Sequence, residues 1–291
     1  MKSTEFLGAK RRYESADSAQ VERSQPAASK PPSRSTDQGQ TRSRRIPVAP
    51  KKERPGAVAS ASRNLFASRT RRGPILVPCE KAMGLQGCES ALESLVVAAA
   101  RFDDRVERVV AQPRVMDVRT GITGRTTEVL KANLLAEGYA WKDAKLWYVD
   151  LELHLVEDFR PVLVEVKPEA RAAAMAAELA ARRAACERVG LAFMLVRDED
   201  FPEPLAHNVH ILRRYAGTPV SDETTGRILQ ALSTGAHTAV DLARFASAGL
   251  AEVYGLVARG VLVTDLVQER LGPQATLSRS AGEPRKILPL P

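Results

Sequence analysis

The sequence lacks several features that would place it in a familiar class of protein. Its longest apolar runs are short, such as residues 95–100, whereas a membrane-spanning helix needs about 20 apolar residues. The first residues contain no apolar signal-peptide core, and no phosphate-binding Walker loop is present. The cysteines, Cys79, Cys88 and Cys186, form no Cys-x-x-Cys pair and no disulfide framework. These absences argue against a membrane protein and an ATPase, and they predict a cytoplasmic protein with reduced thiols.

The positive charge is concentrated in one part of the chain. The whole sequence has 43 Lys and Arg against 35 Asp and Glu, which gives a net charge of +8. Residues 1–72 contain 17 basic and 6 acidic residues, whereas residues 73–291 have a net charge of −3. Because the first segment is also rich in Ser, Pro and Gln, it cannot bury enough apolar surface to fold, and we expect a disordered basic tail. This tail either contacts DNA phosphates by releasing counterions or is a solvated linker.

The hydrophobic pattern after this tail alternates between helices and strands. A helical period over 88–102 precedes a strand over 146–156, in which apolar residues, among them Trp147 as a predicted core residue, alternate with polar ones. A second strand is predicted over 161–167. Because only a short polar stretch separates these two strands, we expect them to form a hairpin. A long Ala-rich helix over 169–189 and a short apolar strand follow. Residues 73–217 are therefore predicted to form an α/β domain with helices flanking the sheet.

Three short helical patterns followed by a strand occupy residues 218–272. This order of elements is typical of a winged helix, a fold that often reads DNA. From residue 218 to residue 270, however, four basic residues are outnumbered by six acidic ones. Because a helix in the major groove needs positive charge to approach the phosphates, we predict that this domain docks onto protein instead. Residues 273–291 contain scattered Pro and Gly, and we expect a loosely packed tail.

One pattern of acidic residues and a lysine points to chemistry. Asp150 lies on the polar face of the first strand, and Glu165 and Lys167 share one face of the second. In a hairpin, Asp150 and Glu165 can reach one metal ion, since two carboxylates at one point repel unless a cation intervenes. Such oxygen ligands suit Mg²⁺, with Mn²⁺ as the alternative, and the lysine would orient or deprotonate a water or hold a phosphate. The competing interpretation is a solvated sheet face with ordinary charged pairs.

The spacing of Asp150 and Glu-x-Lys at 165–167 resembles the PD-(D/E)xK nuclease superfamily. Further segments in the same order make this likeness more specific. They are Glu-Ser-Ala-Leu-Glu at 89–93, Gln-Pro at 112–113, Leu-Val-Arg-Asp-Glu-Asp-Phe at 195–201 and Gly-Val-Leu-Val-Thr-Asp-Leu at 260–266. The series covers residues 79–280 and resembles TnsA, the endonuclease subunit of Tn-seven-like heteromeric transposases.

The resemblance implies a restriction-endonuclease-like domain with a mixed sheet, a winged-helix-like domain after it, and nicking of the 5′ ends of a transposon. It also implies three partners: transposon-end DNA, a DDE transposase similar to TnsB, and an ATPase regulator similar to TnsC that binds the C-terminal domain. The site residues implied are one lysine and three metal-holding carboxylates: Lys167, Glu93, Asp150 and Glu165. Glu89, one helical turn before Glu93, is the alternative helix carboxylate, and Gln112 is expected to support the site.

Two departures from the family pattern concern Asp150. The usual proline before this aspartate is replaced by Val149, and the gap of 38 positions from Gln112 is longer than the family leads us to expect. The surplus, residues 119–145, is either an insertion that binds DNA or a partner, or a larger loop, and Asp143 is the alternative aspartate. Two other functions stay open: a restriction or repair nuclease of the same fold, and a non-catalytic DNA-bound adaptor of the transposition machinery.

Overall fold

The computed structural model of the chain describes residues 74–82, 84–158 and 160–290. The predicted disordered basic tail, residues 1–72, lies outside these described residues. Within them, no helix is long and apolar enough to cross a membrane.

The first part of the described chain alternates strands with helices. Its early elements are β1 (Ile75–Pro78), β2 (Leu85–Cys88), α1 (Ala91–Phe102), β3 (Val106–Ala111), β4 (Val115–Asp117), β5 (Thr123–Gly124) and α2 (Thr127–Ala136). The later ones are β6 (Leu146–Tyr148), β7 (Leu151–Leu155), β8 (Val162–Val166), α3 (Glu169–Ala174), α4 (Ala176–Arg188), β9 (Ala192–Val196) and α5 (Glu203–Tyr215).

A mixed four-stranded sheet in the order β3-β7-β8-β9 lies at the centre of this part. Strands β3, β7 and β8 are antiparallel neighbours, and β9 runs parallel to β8. Alternate residues such as Leu151 and Val164 belong to a core shared with α1 and α5, whereas Leu163 packs with Cys186 of α4 on the other face. The predicted mixed α/β fold with flanking helices is confirmed, as is the hairpin of β7 and β8.

The single strand predicted over 146–156 is wrong, because the chain changes sheets in the middle of it. Strand β6 pairs with β4 in a separate antiparallel sheet of order β5-β4-β6, whereas β7 joins the central sheet. The strand partners of β7 and β6 are β3 and β4, and the chain is interrupted between them at the same level. There Gln112 has a left-handed φ of 48°, and Pro113 has no N–H to donate. The Gln112 N–H donates instead to the Asp150 carbonyl at 2.8 Å. Asp150 therefore lies at the corner between the two sheets.

The single helix predicted over 169–189 is also wrong, since it consists of α3 and α4. Met175 separates them with φ −106° and ψ 15°, values outside the helical range. Helix α4 is fixed on the sheet by Leu179, Ala185 and Cys186, which are its buried residues.

Residues 119–145 contain structure of their own. Strand β5 and helix α2, whose N-cap is Thr126, pack on β4 around a small core of Val115, Leu130 and Leu134. Gly124 is needed there because a Cβ atom on it would lie 2.3 Å from the backbone nitrogen of Leu130. The surplus is thus a packed lobe on the second sheet, not an irregular loop.

The C-terminal part has three helices and a short antiparallel pair of strands: α6 (Asp222–Ser233), α7 (Ala239–Phe245), α8 (Leu250–Ala258), β10 (Leu262–Val263) and β11 (Ser278–Arg279). The loosely packed tail expected over 273–291 is wrong, since Leu277 and Leu288 are buried in the main core. Helix α8 also contacts α5. The predicted boundary between residues 217 and 218 stays a prediction.

Candidate functional site

Asp150 and Glu165 meet on a single lysine side chain. The Lys167 Nζ atom lies 2.8 Å from Asp150 Oδ2 and 2.6 Å from Glu165 Oε1. Asp150 Oδ2 also accepts the Val166 backbone N–H at 2.9 Å. The pairing of Leu151 with Val164 in the β7–β8 hairpin is what places Asp150 beside the end of β8. Two neighbouring strands thus bring both carboxylates and the lysine to one point.

These charged groups are buried, so the interpretation of this region as an ordinary solvated sheet face is wrong. Asp150 is 6% exposed and Glu165 is 2% exposed. Burial alone opposes the charged form of Lys167, but the adjacent carboxylates outweigh it and raise the pKa of the lysine. Burial and the charge of Asp150 raise the pKa of Glu165, and the lysine limits that rise. Buried carboxylates without a cation between them are costly, which makes Lys167 part of the site.

Two residues that the sequence patterns missed hold Glu165 in place. Trp147, predicted only as a core residue and indeed buried, donates its indole N–H to Glu165 Oε2. Arg182 of α4 lies 2.6 Å from Glu165 Oε1 and stacks over the indole ring at 5.6 Å. A signal for Arg182 was present in its spacing, because it is three residues after Leu179 and four before Cys186, both on the buried face of the helix.

Glu93 lies at the start of α1 and is also buried, at 6% exposure. Its Oε2 atom accepts the Glu89 backbone N–H at 2.9 Å, and its Oε1 atom accepts the Ser90 hydroxyl at 3.0 Å. Desolvation by burial, with the negative charge of Asp150, raises the pKa of Glu93 to about 7. The charge of Asp150 thus acts on this carboxyl as it acts on Glu165, and we call Asp150, Glu165 and Lys167 the cluster.

The geometry favours some of the alternatives over others. Glu89 is exposed, whereas Glu93 is buried, so Glu93 is the better candidate for the carboxylate at the start of α1. Asp143 is exposed on a short 3₁₀ turn, whereas Asp150 lies in the cluster. Gln112 is 1% exposed and supports the site through its backbone bond to Asp150.

The donor atoms of the cluster fit a hard divalent cation. Carboxylate oxygens are the ligands that Mg²⁺ and Mn²⁺ prefer, and two of them already converge on the Lys167 ammonium. Among the described residues, no group of three or more His, Cys, Asp or Glu side chains could hold a metal ion. Asp150 and Glu165 are the two carboxylates that would hold such an ion.

Replacing Glu93 by Gln should stabilise the protein at alkaline pH in the presence of EDTA. The folded pKa of about 7 is above the ordinary value of 4.5, so the folded state favours the protonated carboxyl. This contribution is complete below pH 4.5 and is lost as the pH rises through 7. We expect Glu93→Gln to exceed wild type by about 2 kcal/mol in free energy of unfolding at pH 8, measured by urea denaturation.

The matched control for this prediction is Glu89→Gln, which changes an exposed carboxylate one turn away. We expect its free energy of unfolding to stay within about 0.5 kcal/mol of wild type at pH 8. A Glu93→Gln variant that is less stable than wild type at pH 8 would contradict the buried, destabilised carboxylate described above.

Comparison with known proteins adds no independent assignment of the site. The chain matches no protein-family model, and no curated protein matches its sequence. The function of the chain is therefore inferred from the residues of the cluster itself.

Proposed function

We propose that the chain is a metal-dependent DNA endonuclease subunit of a transposition complex, similar to TnsA, that nicks the 5′ ends of a transposon. The observation that carries this proposal is the convergence of buried Asp150 and Glu165 on the Lys167 ammonium. Ordinary charged pairs lie on the surface, whereas a site that binds a divalent cation and a phosphodiester together gains from being shielded from water. The ordered motifs from residue 79 to residue 280 support the transposition context.

The residues of the cluster have distinct tasks in this reaction. Asp150, Glu165 and Glu93 would hold Mg²⁺ or Mn²⁺, which supplies charge neutralisation and a more acidic water when bound. A water oxygen forms a bond to phosphorus, one bridging P–O bond breaks, and the leaving oxygen takes up a proton. Lys167 is charged because its carboxylate neighbours raise its pKa. It therefore stabilises negative charge on the phosphate and is a poor base.

The C-terminal part is inferred to be winged-helix-like and to dock onto the ATPase regulator, not to read DNA. The four arginines of residues 218–272 all contact groups of the chain itself. Arg227 binds Glu223 at 2.6 Å, Arg244 binds Asp241 at 3.0 Å, and Arg270 lies 3.1 Å from Glu203. Arg259 donates to the Thr218 carbonyl at 3.2 Å. Arginines held in this way leave little free positive charge for phosphates.

The proposal is tested with the full chain, its partner transposase, the ATPase regulator and end-labelled transposon-end DNA. In Mg²⁺, wild type should produce nicks at the 5′ ends, and EDTA should abolish them. Lys167→Ala should lose these nicks by about 10²-fold or more, while the partner's cleavage of the 3′ ends continues. Lys145→Ala, an exposed lysine outside the cluster, is the matched control and should behave as wild type.

The same assay separates the other two functions. A restriction or repair nuclease would cut DNA without the transposase and without regard to transposon ends. A non-catalytic adaptor would leave the 5′ ends intact, yet cleavage of the 3′ ends would fall when the chain is omitted. Full 5′ nicking by Lys167→Ala would contradict the site assignment.

A further inference from the structure

Glu165 is the most heavily contacted carboxylate of the cluster. Its Oε1 atom is shared between Lys167 Nζ and an Arg182 guanidinium nitrogen, each at 2.6 Å. Its Oε2 atom accepts the Trp147 indole N–H. The Glu-x-Lys motif at residues 165–167 accounts for the lysine only. Arg182 comes from a different element, α4, and the motif does not explain why a second cation contacts Glu165.

Two cationic side chains face the two buried carboxylates at this point, and the exposed Glu178 also lies 3.4 Å from Arg182. In their ionised forms, Asp150 and Glu165 carry two negative charges, and Lys167 and Arg182 carry two positive charges. A divalent cation that takes up Glu165 must compete with Arg182 for Oε1, because like charges repel at this distance. The displaced guanidinium then needs an anionic partner. Because water screens the exposed Glu178, a DNA phosphodiester brought to the metal is the stronger partner.

We propose that Arg182 is the exchangeable counter-ion of Glu165: it neutralises this carboxylate until a divalent cation displaces it, and the released guanidinium then binds the phosphodiester of the DNA. This inference rests on the proposed nuclease function. The side chain is suited to the role because it is only 14% exposed and remains beside the site through its stacking on Trp147. Guanidinium groups form bidentate hydrogen bonds with phosphate oxygens.

The first test measures cation binding with Ca²⁺ as the probe. The two tryptophans are Trp141 and Trp147, so in a Trp141→Phe chain the fluorescence reports Trp147 alone, next to Glu165. Adding Arg182→Gln should tighten Ca²⁺ binding about tenfold, because a competing positive charge is removed. Arg183→Gln is the matched control, since Arg183 is exposed and lies over Phe193, and it should bind Ca²⁺ as the parent does. Equal or weaker binding by Arg182→Gln would overturn the exchange.

The second test measures binding of a short transposon-end duplex at fixed ionic strength, with and without saturating Ca²⁺. The parent chain should bind the duplex more tightly when Ca²⁺ is present. The factor by which Ca²⁺ tightens duplex binding should be about tenfold smaller in Arg182→Gln than in the parent. In Arg183→Gln this factor should equal that of the parent. A full gain in Arg182→Gln would show that Arg182 is only a structural partner of Glu165, and would overturn its role at the phosphate.

The outcomes distinguish this inference from the function on which it rests. If the parent chain shows neither a Ca²⁺ response nor 5′ nicking, both the nuclease function and the exchange are overturned. If the parent binds Ca²⁺ and nicks DNA but Arg182→Gln matches it in both binding tests, only the exchange is overturned. Thermal unfolding of both arginine variants, expected to match the parent within a few degrees, checks that they are folded.

Discussion

The Asp150→Asn chain is expected to nick the 5′ strand of transposon-end DNA about 10²- to 10³-fold more slowly than wild type. Asparagine has nearly the same shape as aspartate and keeps an oxygen that can accept the Val166 N–H, which Asp150 accepts at 2.9 Å. It lacks the negative charge that faces Lys167 and that a divalent cation needs. The loss should therefore affect chemistry far more than folding, and single-turnover rates in Mg²⁺ measure it.

Asp143→Asn is the matched control for this substitution. Asp143 is the other aspartate of the same stretch and is exposed on a turn. We expect its rate to equal that of wild type within about twofold, since an exposed carboxylate outside the cluster contributes little to the site. If Asp143→Asn loses nicking and Asp150→Asn retains it, the choice of aspartate made here is wrong.

The Asp103→Ala chain should lose about 3 kcal/mol in free energy of unfolding, the largest effect on stability that we expect outside the site. Asp103 is fully buried. Its carboxylate accepts the backbone N–H groups of Ile287 and Leu288 at 2.8 and 2.7 Å, and it pairs with Arg105 at 2.8 Å. Removing the carboxylate leaves these donors buried without their acceptor.

The pH dependence of this contribution has a definite sign. Burial opposes ionisation of Asp103, but its hydrogen bonds from Arg105 and from the backbone of the C-terminal segment outweigh burial and lower its pKa. A lowered folded pKa stabilises the protein above the unfolded value of 3.8, and the contribution is lost as the pH falls through the folded pKa. Urea unfolding at pH 7 and at acidic pH should therefore show a smaller difference between wild type and Asp103→Ala at the acidic pH.

Asp104→Ala provides the control for Asp103→Ala. Asp104 binds the neighbouring Arg285, but its side chain is 42% exposed, and water replaces much of what the substitution removes. We expect a loss below about 1 kcal/mol. If both alanine variants unfold at the same urea concentration, the buried carboxylate does not anchor the C-terminal segment.

The pairing of Asp150 with Glu165 could be predicted from the sequence because it follows from local patterns. Alternation identified β8 and part of β7, and a short polar connection between two strands favours a hairpin. Once β7 and β8 pair, their register places Asp150 and Glu165 near one another. The mixed sheet and its flanking helices could be predicted because segments with a strand-like period of two alternate with segments that have a helical period.

The corner at Asp150 could not be predicted, because it depends on the neighbouring strand and not on residues 146–156 themselves. Gln112 and Pro113 interrupt that strand. The two sheets separate where the Gln112 N–H donates to the Asp150 carbonyl and the Val149 N–H donates to the Arg114 carbonyl. Apolar alternation also assigned Trp147 to the core and was right, but it carries no information about where an indole N–H points. Residues 273–291 lack any periodic pattern, and their anchoring by Asp103 depends on contacts across more than 180 positions.

We propose above all that Asp150, Glu165 and Lys167 form a divalent-cation centre for phosphodiester cleavage. Calorimetric titration of Mn²⁺ into the full wild-type chain and into Asp150→Asn tests it most directly. Wild type should bind Mn²⁺ with a measurable heat, and Asp150→Asn should bind it about 10²-fold more weakly, because a charged oxygen ligand is gone. No binding to wild type, or the same affinity in both chains, would contradict the claim.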